Sequence, residues 1–292
     1  MRTVMIFWCA AAVLASTVAA FAEGPQAPAQ AVDISKLPEG VKRLDLYLLM
    51  GQSNMKGRGA VPADQKLNPH IVSMQMKKDN WVVASDPLHI DGRVDPIDRS
   101  GNAGVGPGLS FAQALAAREP DVMIGLIPCA VGGSKVGQWQ KGVQRSLYDE
   151  ALRRAKLALE QGPPGKTRLC GALWLQGESD TKENLYSNYQ TSFLKVVDTL
   201  RADLNLPELP FIACTIGSFI EGKATYPHVK EINAILLDLP KQRPQTACVD
   251  ARDLTGSIGD NLHYNTESQV AIGPRYAEKY LSLINPKGAP AR

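Results

Sequence analysis

The chain has 292 residues, 44 % of them hydrophobic and 21 % charged, with a formal net charge of +3. This is enough apolar material for one sizeable core, which excludes a disordered chain. So nearly balanced a charge also excludes a polybasic surface for nucleic acid or membrane as the organising feature.

The first segment reads as an address. Arg2 supplies a short positive region, Val4 to Val18 is largely apolar and uncharged, and Ala20-Phe21-Ala22 fits a small-x-small cleavage site. Residues 1–22 are therefore expected to be a signal peptide cleaved after Ala22, with the mature chain secreted or periplasmic. The apolar stretch is short for a span of about 20 residues, and Ile6-Phe7-Trp8 lacks the small residues that precede a lipidated cysteine, so no membrane attachment is expected after cleavage. Residues 23–41, rich in Pro and Ala and without periodicity, read as a linker, and residues 285–292 as a tail.

From residue 42 to 284 apolar runs alternate with amphipathic stretches, as expected of one domain. The expected strands are Leu44 to Met50, Val122 to Ile127, Leu169 to Leu175, Phe211 to Ile216 and Thr246 to Val249. Helical patterns cover Leu109 to Arg118, Leu147 to Gln161, Tyr186 to Leu204, Val229 to Leu237 and Thr266 to Ile284. Residues 64–104 are less regular, with Ile71 to Met76 and Trp81 to Ala84 as short strand candidates. This rhythm predicts an α/β fold whose parallel sheet is covered on both faces. Cys129, Cys170, Cys214 and Cys248 lie in or beside core strands without CxxC or metal-type spacing, so buried thiols are favoured over bridges and no metal site is legible.

In a parallel sheet the carboxyl ends of the strands share one rim, where ligands bind. The segments just past the strands are concentrated in chemistry: Gly51-Gln52-Ser53-Asn54 after the first, Cys129 to Ser134 after the second, and Gln176-Gly177-Glu178-Ser179-Asp180 after the third. Beyond the last strand comes Gly259-Asp260-Asn261-Leu262-His263. Gly-Gln-Ser-Asn is also ordinary turn chemistry. Asp260 and His263, three apart, are close enough for the carboxylate to orient the imidazole, and a nucleophilic serine needs such a base.

With Gly104-Val105-Gly106-Pro107-Gly108 and Trp174-Leu175-Gln176-Gly177-Glu178-Ser179-Asp180, these blocks resemble, in order, those of SGNH-type hydrolases. The nearest branch is the sialate O-acetylesterase-like group, which includes the acetylxylan esterases of carbohydrate esterase family 6. The resemblance implies a flavodoxin-like three-layer α/β/α sandwich with Ser53 as nucleophile, His263 as base and Asp260 as its acid, needing neither metal nor organic cofactor. It further implies an oxyanion hole of the Ser53 N–H, a glycine N–H among Gly104, Gly106 and Gly108, with Gly106 favoured, and the Gln176 carboxamide, which stands where the general pattern has Asn. The implied activity is removal of acetyl groups from glycans, acetylxylan-type or sialate.

Several positions stay open at this level. Glu178, on the same rim, could replace Asp260 as acid partner or brace the loops. Trp139 could wall a sugar-binding cleft or cap the helix that follows. Lys56 and Arg58 could attract an acidic sugar or be solvated. His70, His89 and His228 read as surface or capping residues, with His228 the fallback base. A phosphate-binding loop at residues 51–59 is disfavoured, for it lacks both P-loop and GxGxxG spacing, and a noncatalytic carbohydrate-binding relative would be expected to have lost a catalytic position.

Overall fold

The computed structural model describes residues 30–89 and 102–285; the expected signal peptide and, apart from Asn285, the expected tail lie outside them. In chain order the elements are β1 (Ala31–Val32), β2 (Arg43–Gly51), α1 (Ser53–Lys56), β3 (Ile71–Met74), β4 (Trp81–Val83), α2 (Pro107–Ala116) and β5 (Val122–Pro128). They continue with α3 (Leu147–Gln161), β6 (Thr167–Leu175), α4 (Tyr189–Leu204), β7 (Phe211–Cys214), α5 (Val229–Gln242), β8 (Thr246–Val249) and α6 (Thr266–Ile284).

The eight strands form one sheet in the order β1-β4-β3-β5-β2-β6-β7-β8. β2 lies between β5 and β6, parallel to both, and β3, β7 and β8 extend the parallel part. Side chains of β2 alternate: Leu44, Leu46, Leu48 and Met50 enter one core with α3, α4 and α5. Tyr47 and Leu49 enter the other, with α2 and α6. A near-continuous apolar run is what a strand buried on both faces requires, and helices on both faces of the sheet make it the expected three-layer α/β/α sandwich.

The sheet is mixed rather than wholly parallel. Only residues 75–80 separate β3 from β4, too short for a parallel crossover of a dozen or more residues, so β4 returns antiparallel, Val72 facing Val83. Arg154 of α3, fully buried, holds this turn by donating to the carbonyls of Met74 (3.1 Å) and Met76 (3.3 Å) and to Asp79 Oδ1 (2.7 Å).

Part of the expected linker is structure: Ala31 and Val32 pair with Val82 and Trp81, and Ile34 and Val41 are buried. A two-residue strand has no periodicity to read. β7 ends before Ile216, whose N–H and C=O are taken by the carboxamide of Asn233 on α5 (2.8 and 3.1 Å). α5 in turn continues past Leu237 through Pro240 to Gln242. Tyr186–Asn188 is a separate 3₁₀ turn ahead of α4. The four described cysteines are buried free thiols; Cys214 and Cys248, on neighbouring strands, face opposite cores.

Candidate active site

At the carboxyl end of β2 the chain turns sharply. Gly51 has φ +137°, and a Cβ there would lie 2.1 Å from the Leu175 carbonyl at the end of β6. The Gln52 N–H donates to that same carbonyl (2.9 Å), locking the turn to the neighbouring strand. Ser53 is the first residue of α1, where helical N–H groups have no intrahelical acceptor.

The His263 segment is a tight loop closed by a Ser257–Tyr264 bridge, with Gly259 and Asn261 at positive φ. Asp260 shapes it: Oδ1 accepts the N–H groups of Leu262 and His263 (both 2.9 Å). Its other oxygen, Oδ2, accepts from His263 Nδ1 at 2.5 Å. A carboxylate only accepts, so the ring proton sits on Nδ1 and Nε2 is left to accept. The Ser53 hydroxyl donates to it at 2.8 Å. Burial pushes the Asp260 carboxyl up, but the hydrogen bonds from His263 and Leu262 outweigh it and hold it below the usual carboxylate range.

Glu178 does not join this series. Its carboxyl is wholly enclosed, Oε1 accepts from Asn54 Nδ2 (2.5 Å), and Oε2 has no hydrogen-bond partner. Burial, only partly offset by the Asn54 bond, raises it to about 7. It braces the turn that bears Ser53, whereas Asp260 meets the imidazole.

One expected oxyanion donor, the Gln176 carboxamide, is committed elsewhere. Gln176 is fully buried; its Nε2 donates to Asp180 Oδ2 (2.5 Å) and the Ser134 carbonyl (3.0 Å), with Gln52 Oε1 at 3.3 Å. Two amide hydrogens cannot serve these acceptors and an oxyanion as well. Burial raises the nearby Asp86 carboxyl to about 7. The Gly104 N–H donates to the Gly57 carbonyl (3.0 Å) and the Val105 N–H to that of Gly59 (2.9 Å). A Cβ on Gly57, at φ +90°, would lie 2.4 Å from the Gly104 carbonyl. The glycine block thus packs backbone to backbone against the segment after α1 and fixes its position.

Trp139 is fully buried, edge-on to Trp174 (centroids 5.3 Å apart), with Nε1 donating to Ser134 Oγ (3.1 Å). It is part of the core beneath the rim and cannot wall a sugar cleft. Lys56 is buried rather than solvated, and Arg58 donates to the carbonyls of Gly57 (3.2 Å) and Asn102 (2.9 Å). His89 is buried too, correcting its expected surface place; burial and the charges of Lys56 and Arg154 lower it to about 3. His70 precedes β3, at the sheet edge opposite the rim. His228 precedes α5 as expected, stacked on Tyr186 at 3.6 Å, with Nε2 2.5 Å from Glu183 Oε2.

Four residues went unrecognised. Asn54, quoted only as part of its motif, contacts the His263 loop, and Gln52 Oε1 accepts the N–H groups of Gly177 (3.4 Å) and Ser179 (3.3 Å). Asp180, raised to about 6 chiefly by burial, orients Gln176. Tyr226 lies within reach of the charges of Glu178 and Asp260, and burial first, then those charges, raise its phenol. Among the described residues no cluster of His, Cys, Asp and Glu could hold a metal, and no helix is long and apolar enough to cross a membrane.

A three-layer α/β/α sandwich with hydroxyl, imidazole and carboxylate in series at the strand-end rim is the arrangement expected of an SGNH-type esterase. The sequence model described as carbohydrate esterase, sialic acid-specific acetylesterase matches residues 43–282, and the chain belongs to that family. It is similar to a probable carbohydrate esterase of Arabidopsis thaliana, 35 % identical over 259 residues, covering 81 % of this chain and 90 % of the relative. Among solved structures it is similar to an Arabidopsis thaliana protein at TM-score 0.69 and 32 % identity, covering 82 % of this chain and 98 % of that one. It shares the fold of NanS at TM-score 0.68 and 19 % identity, covering 85 % and 99 %. The protein is a carboxylic ester hydrolase with acetylesterase activity.

Proposed function

We propose that the protein removes O-acetyl groups from an acetylated plant-type glycan such as acetylxylan by a serine mechanism. The observation that carries this reading is the unbroken series Asp260 Oδ2, His263, Ser53 Oγ at 2.5 and 2.8 Å. Ser53 Oγ attacks the ester carbonyl while His263 Nε2 takes its proton. The tetrahedral intermediate collapses to an acetyl-enzyme as His263 returns the proton to the departing sugar oxygen. Water activated by the same nitrogen then releases acetate and restores the Ser53 hydroxyl. Asp260 keeps the Nδ1–H tautomer and stabilises the imidazolium. The developing oxyanion is met by the Ser53 N–H at the start of α1 and a glycine N–H of the Gly104 to Gly108 block, with Gly106 favoured, while the Gln176 amide is engaged elsewhere.

The family description itself favours a second reading, O-acetylated sialic acid as substrate. Acetate release from a panel of acetylated xylans and O-acetyl sialosides separates the two: faster turnover per acetyl group on the sialosides would replace the first reading by the second. The character of residues 1–22 supports export, so the protein recovered outside the cytoplasm should begin at Glu23.

A further inference from the structure

Asn54, next to the nucleophile in sequence, grips the chain on both sides of the base. Its Oδ1 accepts the Tyr264 N–H at 3.1 Å, and its Nδ2 donates to the Leu262 carbonyl at 3.3 Å. The Nδ2 also donates to Glu178 Oε1 at 2.5 Å, and the backbone carbonyl of Asn54 accepts from Gln269 Nε2 of α6 at 3.0 Å. The side chain is completely buried, so no water competes for these groups.

The amide has only one workable orientation. Rotated by half a turn, its oxygen would face two acceptors, Glu178 Oε1 and the Leu262 carbonyl, and its NH₂ would face the Tyr264 N–H. Glu178 therefore selects the orientation that lets one carboxamide bond to both neighbours of His263.

We propose that Asn54 is a positioning residue that sets the distance between Ser53 and His263, oriented by Glu178. This rests on the reading of Ser53 and His263 as nucleophile and base. Ser53 and His263 are separated by most of the chain, yet the residue after one is bonded to the residues flanking the other. The nucleophile–base hydrogen bond is thus spanned by a second short connection of side chain to backbone, independent of the catalytic atoms.

The test is steady-state hydrolysis of p-nitrophenyl acetate by Asn54→Ala, Asn54→Asp, Glu178→Gln, Asn54→Asp/Glu178→Gln, His263→Ala and Asn54→Ala/His263→Ala. Misplacing a reacting group by about 1 Å can cost about 10²-fold in rate, so Asn54→Ala should lower kcat by about that factor with KM nearly unchanged. In the His263→Ala background it should have almost no further effect, because the group it positions is gone. Asn54→Asp sets an acceptor against Glu178 and should be impaired as well. Adding Glu178→Gln returns a donor to that contact and should recover part of kcat, an effect that mere packing would not produce.

If Asn54→Ala fails to fold, Asn54→Asp with and without Glu178→Gln carries the test. Equal rates for those two variants would overturn the proposal. So would a parental kcat in Asn54→Ala, or an equal fold loss in the His263→Ala background. A parental rate in His263→Ala would overturn the assignment of the base itself, a result distinct from a loss confined to Asn54.

Discussion

At the scale of single residues the proposed mechanism rests on three side chains in series, and each substitution has its own signature. Ser53→Ala should reduce p-nitrophenyl acetate hydrolysis by at least about 10³-fold, with folding checked by circular dichroism; a parental rate would contradict the nucleophile assignment. Asp260→Asn keeps much of the shape but loses the charge that fixes the Nδ1–H tautomer, and kcat should fall by about 10²–10⁴-fold. Glu178→Gln keeps an acceptor for Asn54 and should lose less than about 10-fold. The reverse ranking in kcat would make Glu178 the acid partner. The Asp260–His263 contact was legible because three residues of spacing suffice to build it. The direction of the Gln176 amide was not, since it is set by Asp180, whose place is a property of the folded chain.

At the scale of elements, the strands and helices around β2 were legible wherever burial on both faces or an amphipathic helix stamped a period on the sequence. α3 and α6 fall at their expected limits. The hairpin edge was harder, because β1, β3 and β4 are too short for a period and β1 is defined by its pairing alone. Its stability should depend on Arg154, whose guanidinium is the shared donor for Met74, Met76 and Asp79. Arg154→Met leaves the Met74 and Met76 carbonyls without this donor, while Asp79 keeps Arg153, and should destabilise the fold by about 1–3 kcal/mol. The same change should speed amide exchange in β3 and β4 beyond any change in β6. Urea unfolding with residue-resolved hydrogen exchange checks both, and a loss below about 1 kcal/mol would show that the clamp is dispensable.

At the scale of the whole molecule, the site leaves a mark on stability through its buried acids. Glu178 and Asp86 are raised to about 7 and Asp180 to about 6, in each case chiefly by burial. A carboxyl whose folded pKa lies above its unfolded one binds more protons in the folded state over that interval. Its contribution is therefore fullest at low pH and is lost as pH rises from about 4 to 7. Glu178→Gln removes one such group, so its stability relative to the parent should improve between pH 5 and pH 8 by up to about 3 kcal/mol. Chemical denaturation of both proteins at the two pH values measures this difference, and an equal gap at both would contradict a raised Glu178.

These scales meet at the acetyl-enzyme that the proposed mechanism places on Ser53. Rapid acid quenching of the parent during turnover of p-nitrophenyl acetate, with peptide mass mapping of the quenched protein, reads that intermediate directly. One acetyl group is expected on the peptide containing Ser53, absent from Ser53→Ala. Acetyl carried on a different residue, or an acetylated intermediate that persists in Ser53→Ala, would contradict it.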